Sequence, residues 1–233
     1  MTRLKGQLRR VPSPTIVGMI VLMVAIFLVQ DLADTSWPVE YGTTPIDVTT
    51  AWHQLRQGDL DNASASALGT VFSAVFIHGS AGHVGSNMLF LWVFGSLLAT
   101  HLGKWRVILL FLFTGACGNV MQVILEPGLG IPVIGASGGV TGLEGLYFGL
   151  AFLWHLRWPD VWPLAHPIPP SQLALFAGVG AAYDMYGVVE RGCGIAYGAH
   201  VGGFFAGLVL AGLITQIYPT ESDYHQPGTR SNG

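Results

Sequence analysis

Charge is what this chain has least of. Lys, Arg, Asp and Glu make up 10% of its 233 residues, where a soluble domain carries about 25%. That excludes a water-soluble globular protein, because too few charged side chains exist to cover a solvated surface. A net charge of -3 supplies no basic field, which argues against a nucleic-acid partner. Two cysteines, Cys117 and Cys193, do not make a disulfide framework, and both read as small apolar packing residues. No His-Glu-x-x-His stretch occurs, so the helix-borne zinc signature is missing. No internal repeat and no separate soluble domain stands out, which weighs against a transporter built from inverted halves.

What the chain has is hydrocarbon. Hydrophobic residues make up 51% of it and the mean hydropathy is +0.53, values of an integral membrane protein. A spanning helix needs about 20 mostly apolar residues. Six segments qualify, at roughly 11–30, 77–99, 105–125, 134–155, 172–190 and 194–217. Asp184 and interspersed glycines and tyrosines make the fifth the least regular. The basic stretch before residue 11 leads into an apolar run with no Ala-x-Ala site after it. A retained first helix is therefore expected, with a cleaved signal peptide as the alternative.

The organisation follows. Residues 1–10 form an N-terminal segment, 11–218 a six-helix membrane domain, and 219–233 a polar tail expected to be disordered. Residues 31–76 form a long outer segment, too long for a simple connection. Residues 156–171 are a Pro- and Trp-rich inner loop suited to the headgroup zone. With the N-terminus cytoplasmic, Arg3, Lys5, Arg9, Arg10, Lys104, Arg106, Arg157 and Arg230 lie inside, and only Arg56 and Arg191 outside. That bias puts both termini on the cytoplasmic face, with a bacterial-type plasma membrane as the expected location.

This orientation gathers the polar residues at one depth. His78, His83 and Asn87 lie early in the second segment, Ser137 early in the fourth and His200 early in the sixth. At about 1.5 Å per residue each falls within a few turns of the outer surface. Polar residues in membrane spans are costly and are functional candidates by default.

Ser137 stands in Gly135-Ala136-Ser137-Gly138-Gly139, after the Gly/Pro-rich stretch 127–132. That stretch cannot be helical, so Ser137 is expected at a helix N-terminus, where free N–H groups and the dipole favour negative charge. Alone, such a pattern is as well read as a small-residue packing face. His200 precedes Gly203 and Gly207 at i, i+4 spacing. A flat face of that kind can meet Gly138, Gly142 and Gly145, bringing His200 beside Ser137. His83 and Asn87 share one face of the second segment and can both donate to an oxyanion. His78 is off that stripe and reads as a holder of the outer segment. Three histidines, His78, His83 and His200, are also a possible metal set, but such a site has no use for a Gly-flanked serine. Glu144 lies seven residues beyond Ser137 and reads as a buried hydrogen-bonding group or proton relay. Asp184, Asn119 and Gln122 read as links between helices, none with the context of a triad acid.

His78-x4-His83-x3-Asn87 running into Met88-Leu89-Phe90-Leu91-Trp92-Val93-Phe94-Gly95, then Gly135-Ala136-Ser137-Gly138, then Ala199-His200-x2-Gly203-x3-Gly207, resembles the rhomboid family of intramembrane serine proteases over roughly residues 10–218. The resemblance implies an all-α, six-helix bundle with a cavity open to the outer face. It implies a Ser-His dyad with no acid, Ser137 as nucleophile and His200 as base. His83, Asn87 and the Ser137 N–H would form the oxyanion hole, and His78, Gly135, Gly138, Gly203 and Gly207 would shape the site. Substrates would be single-span membrane proteins, cut near the outer membrane boundary, with no cofactor and no metal. The chain departs from the family at Trp52-His53, where Trp-Arg is frequent. It departs again at Thr141, where some members carry an aromatic stacked on the histidine, and at Thr100, where an acid is common. Two other classes compete: a non-catalytic relative that escorts membrane helices, and a small channel or transporter.

Overall fold

A backbone crossing hydrocarbon must satisfy its own N–H and C=O groups, and the helix does so within one segment. The computed structural model describes residues 14–33, 36–154, 156, 168–190 and 194–217, and these are helical with no strand among them. Its elements are α1 (Pro14–Leu32), α2 (Trp37–Tyr41), α3 (Pro45–Gln57), α4 (Asn62–Ser73), a 3₁₀ turn at Ala74–Phe76, α5 (Ala81–Phe90), a π-helical stretch at Leu91–Gly95, α6 (Ser96–Leu102), α7 (Lys104–Leu125), α8 (Ser137–Leu153), α9 (Pro170–Val189) and α10 (Tyr197–Ile217). The Cys193 and Arg191 region, most of the inner loop at 156–171, the N-terminal segment 1–10 and the tail lie outside the described residues.

Among the described residues four helical stretches are long and apolar enough to cross a membrane: Pro14–Leu32, Ala81–Leu102, Lys104–Leu125 and Tyr197–Ile217. The second joins α5, the π turn and α6 into one rod. The fifth apolar segment is α9, with 20 residues. The fourth, α8, has 17, five fewer than α7, which is about 7 Å of axial length. It is also the most enclosed helix, with Leu143, Leu146 and Leu150 fully buried. Large apolar side chains such as Leu109, Phe113 and Ile124 on α7 and Phe176 and Val179 on α9 stay exposed on the bundle's outside. That is the arrangement of a protein solvated by lipid, and the chain is an integral, multi-pass membrane protein.

Around α8 the packing is backbone against backbone. It packs most extensively on α10, which also lies against α7. A Cβ added at Gly203 would run into the Gly138 carbonyl, and one at Gly207 into the Gly142 carbonyl. Gly145 in turn abuts the Phe204 backbone, and Gly142 lies against the Thr114 side chain of α7. In lipid, where no hydrophobic force drives helices together, contact of this closeness supplies the attraction.

The outer segment, read from the sequence as too long for a simple connection, has helical structure of its own. It is built of α2, α3 and α4. Pro38 and Pro45 each stand in a first helical turn, where proline's fixed φ and missing N–H are tolerated. Asp61 caps α4 by accepting from Ser64 N–H at 2.7 Å. The capping bond also holds the Asp61 carboxyl below its ordinary range.

Candidate active site

The loop 126–136 delivers Ser137 to the start of α8, and four backbone bonds fasten it to the outer segment. Thr43 and Val133 exchange both bonds, at 2.9 and 2.8 Å, Leu129 O accepts from Ile46 N at 3.1 Å, and Gly135 N donates to Ala74 O at 2.9 Å. Gly135 has φ +126°, a conformation that L side chains rarely adopt. There is also no room for one: a Cβ would lie 2.6 Å from His83 Nε2 and 3.7 Å from Asn87 Nδ2. The imidazole and amide of α5 therefore converge on the backbone two residues before Ser137.

Ser137 begins α8, so the N–H groups of its first turn have no intrahelical acceptor. Across the seam, Ala199 O lies 3.3 Å from where a Cβ on Gly138 would sit. Thr141 Oγ1 donates to the His200 carbonyl at 3.0 Å. The Ser137 turn and the His200 turn are thus adjacent. Ala199 N donates to Gln122 Oε1 at 3.2 Å, which ties this turn of α10 to α7. Asn119 is a similar link, donating to Val71 O at 2.8 Å.

The donors near Gly135 have defined roles. Gly79 N–H reaches His83 Nδ1 in a long 3.5 Å contact, an arrangement that leaves the ring proton of neutral His83 on Nε2, the atom nearest Gly135. Asn87 is buried, and its Nδ2 meets no acceptor among the described residues. An unsatisfied buried donor costs about 1–3 kcal/mol, a cost with no structural return at this position.

His78, read as a holder of the outer segment and a shaper of the site, is fully buried. Its ring stacks edge-on against His83 with centroids 5.2 Å apart, and its Nε2 is 3.4 Å from Ala136 N. Its backbone is clasped by the Gln30 amide of α1, which donates to His78 O at 2.6 Å. Asp184, read as helix-helix glue without the context of a triad acid, has its Oδ1 3.0 Å from His200 Nδ1. Sixteen residues and a change of helix separate the two, so no spacing rule could pair them. Glu144 is buried in α8, two turns below Ser137. Among the described residues no three His, Cys, Asp or Glu side chains group as a metal ion needs.

Similarity to known proteins agrees with this arrangement. A model of the Rhomboid domain matches residues 65–217. Rhomboid protein 1 of Saccharomyces cerevisiae, a mitochondrial protein, is 27% identical over 166 residues, 70% of this chain and 46% of its own length. The chloroplastic Rhomboid-like protein 11 of Arabidopsis thaliana is 29% identical over 160 residues, covering 64% of this chain and 53% of its own. Rhomboid-like protein 12 of the same plant, mitochondrial, is 29% identical over 160 residues, 62% and 46% of the two chains. The chain thus spans about half the length of these relatives. Their names place them in organelles, which lends no support to a bacterial-type plasma membrane here. With more than half of the chain matched, from α4 to the end of α10, and the Ser137 and His200 turns inside the match, the chain belongs to the rhomboid family of intramembrane proteases.

Proposed function

We propose that the chain is an intramembrane serine endopeptidase that cuts single-span membrane proteins near the outer membrane boundary. Ser137 Oγ attacks the scissile carbonyl while His200 Nε2 takes its proton, and His200 then gives that proton to the leaving amine. The developing oxyanion is held by His83 Nε2–H, Asn87 Nδ2–H and the Ser137 N–H at the positive end of α8. The observation that carries this reading is the convergence of His83 and the unpartnered Asn87 amide on Gly135, at the foot of a serine that starts a helix. A helix-escorting relative has no need of preorganised donors there, and a channel has no need of the serine.

The basic residues support both termini on the cytoplasmic face, with the site opening outward. Accessibility of terminal tags to added protease checks this. The mechanism is tested with a tagged single-span reporter in liposomes. Wild type should cleave it, with EDTA present or absent. Ser137→Ala and His200→Ala should each abolish cleavage, and the double variant should be no worse than either, since members of one unit are not additive. Substantial turnover by Ser137→Ala, or loss in chelator restored by zinc, would overturn the reading.

A further inference from the structure

We propose that Asp184 is the positioning residue of His200: its carboxylate fixes the imidazole's rotation and keeps a proton on Nδ1, so that Nε2 is free to act on Ser137. This deepens the serine-protease reading above and rests on it. It also replaces the acid-free dyad expected from the sequence with a three-residue unit whose acid comes from α9.

The geometry is specific. Asp184 Oδ1 and His200 Nδ1 are 3.0 Å apart, and the two side chains are only 14% and 18% exposed. A carboxylate can only accept a hydrogen bond. A neutral His200 in this contact must therefore carry its proton on Nδ1, which leaves the Nε2 lone pair as the base. Other neighbours hold His200 without setting its tautomer. Thr141 bonds its backbone carbonyl, and the Tyr197 ring, one turn earlier on α10, packs edge-on with centroids 6.4 Å apart. Tyr183 backs Tyr197 from α9, with centroids 6.2 Å apart. Among the described residues, His83 on α5 also lies within electrostatic reach of His200, and Glu144 on α8 within reach of Asp184. Among the described residues Asp184 is the one whose side chain accepts a hydrogen bond from the ring.

The balance of the step follows. The Ser137 Oγ–H proton passes to Nε2 as the Oγ–carbon bond forms, and the imidazolium then bears protons on both nitrogens. Asp184 remains ionised and faces that positive charge in a medium where charges interact more strongly than in water. The proton on Nε2 leaves with the amine, and the Nδ1 proton never transfers.

Asp184→Asn tests this while keeping shape and packing. The amide can donate to Nδ1, forcing the ring proton onto Nε2, where it blocks the base. In liposomes kcat should fall on the order of 10²- to 10⁴-fold while KM stays within about threefold. The melting temperature should be unchanged, and Asp184→Glu, which restores an acceptor-only group, should recover a large part of kcat. Wild-type kcat in Asp184→Asn, or a loss that tracks only a raised KM or a lowered melting temperature, overturns the proposal. If that variant does not fold, ¹⁵N-histidine spectra of the wild type decide instead: neutral His200 should be the Nδ1–H tautomer, and an Nε2–H tautomer overturns it. Ser137→Ala run in parallel keeps the two readings apart. A dead Ser137→Ala beside a fully active Asp184→Asn sinks the role of Asp184 alone, whereas an active Ser137→Ala sinks the protease reading itself.

Discussion

Asn87 carries an amide donor that is buried and meets no acceptor among the described residues. If that donor is held for the transition state, Asn87→Ala should lower kcat by roughly 10- to 1,000-fold, the scale of one preorganised oxyanion donor. Steady-state kinetics on the single-span reporter should show KM little changed. A variant that loses binding but keeps kcat would make Asn87 a substrate contact instead. The same variant should melt no earlier than wild type, since it removes an unpaired polar group rather than a bond. At this scale Ser137, His200, His83 and Asn87 stood out in the sequence because hydrocarbon makes polar side chains conspicuous. Asp184 was equally conspicuous, but its pairing with His200 was not. The contact runs from α9 to α10, and it depends on where two helices meet rather than on any spacing along one of them.

Helices α8 and α10 touch along Gly138, Gly142, Gly203 and Gly207 with carbonyls where side chains would otherwise stand. Gly203→Val places a branched side chain against the Gly138 carbonyl, and the helices must separate. A displacement of about 1 Å can cost on the order of 100-fold in rate, so this variant should lose cleavage with every chemical group intact. It should also melt earlier, because close packing is the main attraction between helices in lipid. Normal turnover and normal melting would mean that the seam gives way without cost. The seam was legible from the i, i+4 glycines. The helices α2, α3 and α4 were not, although their signals are present: prolines in first turns, Asp61 as a cap and Gly58 closing α3 in the left-handed region. Their shortness hid them, since helices of 5, 13 and 12 residues present no apolar run of spanning length. The shortness of α8 was equally hidden, because its first residues continue the apolar pattern of the loop before it.

Across the whole molecule, the site is held from both sides of its sequence. Gln30 of α1 clasps the backbone of His78, so Gln30→Leu should loosen the histidine pair from a distance. Labelling of Ser137 by a serine-directed probe should slow in this variant, while the amount of inserted protein stays constant; unchanged labelling would show that α1 bears no load for the site. The Rhomboid match begins at residue 65, inside α4. Thr43 and Ile46, which bond the loop leading to Ser137, both precede it, as does Gln30. The stretch matched by the family model is therefore shorter than the stretch whose backbone holds the loop before Ser137. A version starting at residue 65 keeps Ser137, His200 and Asp184 yet gives up three of the four backbone bonds that steady their approach, and separately supplied residues 1–64 should restore what it loses.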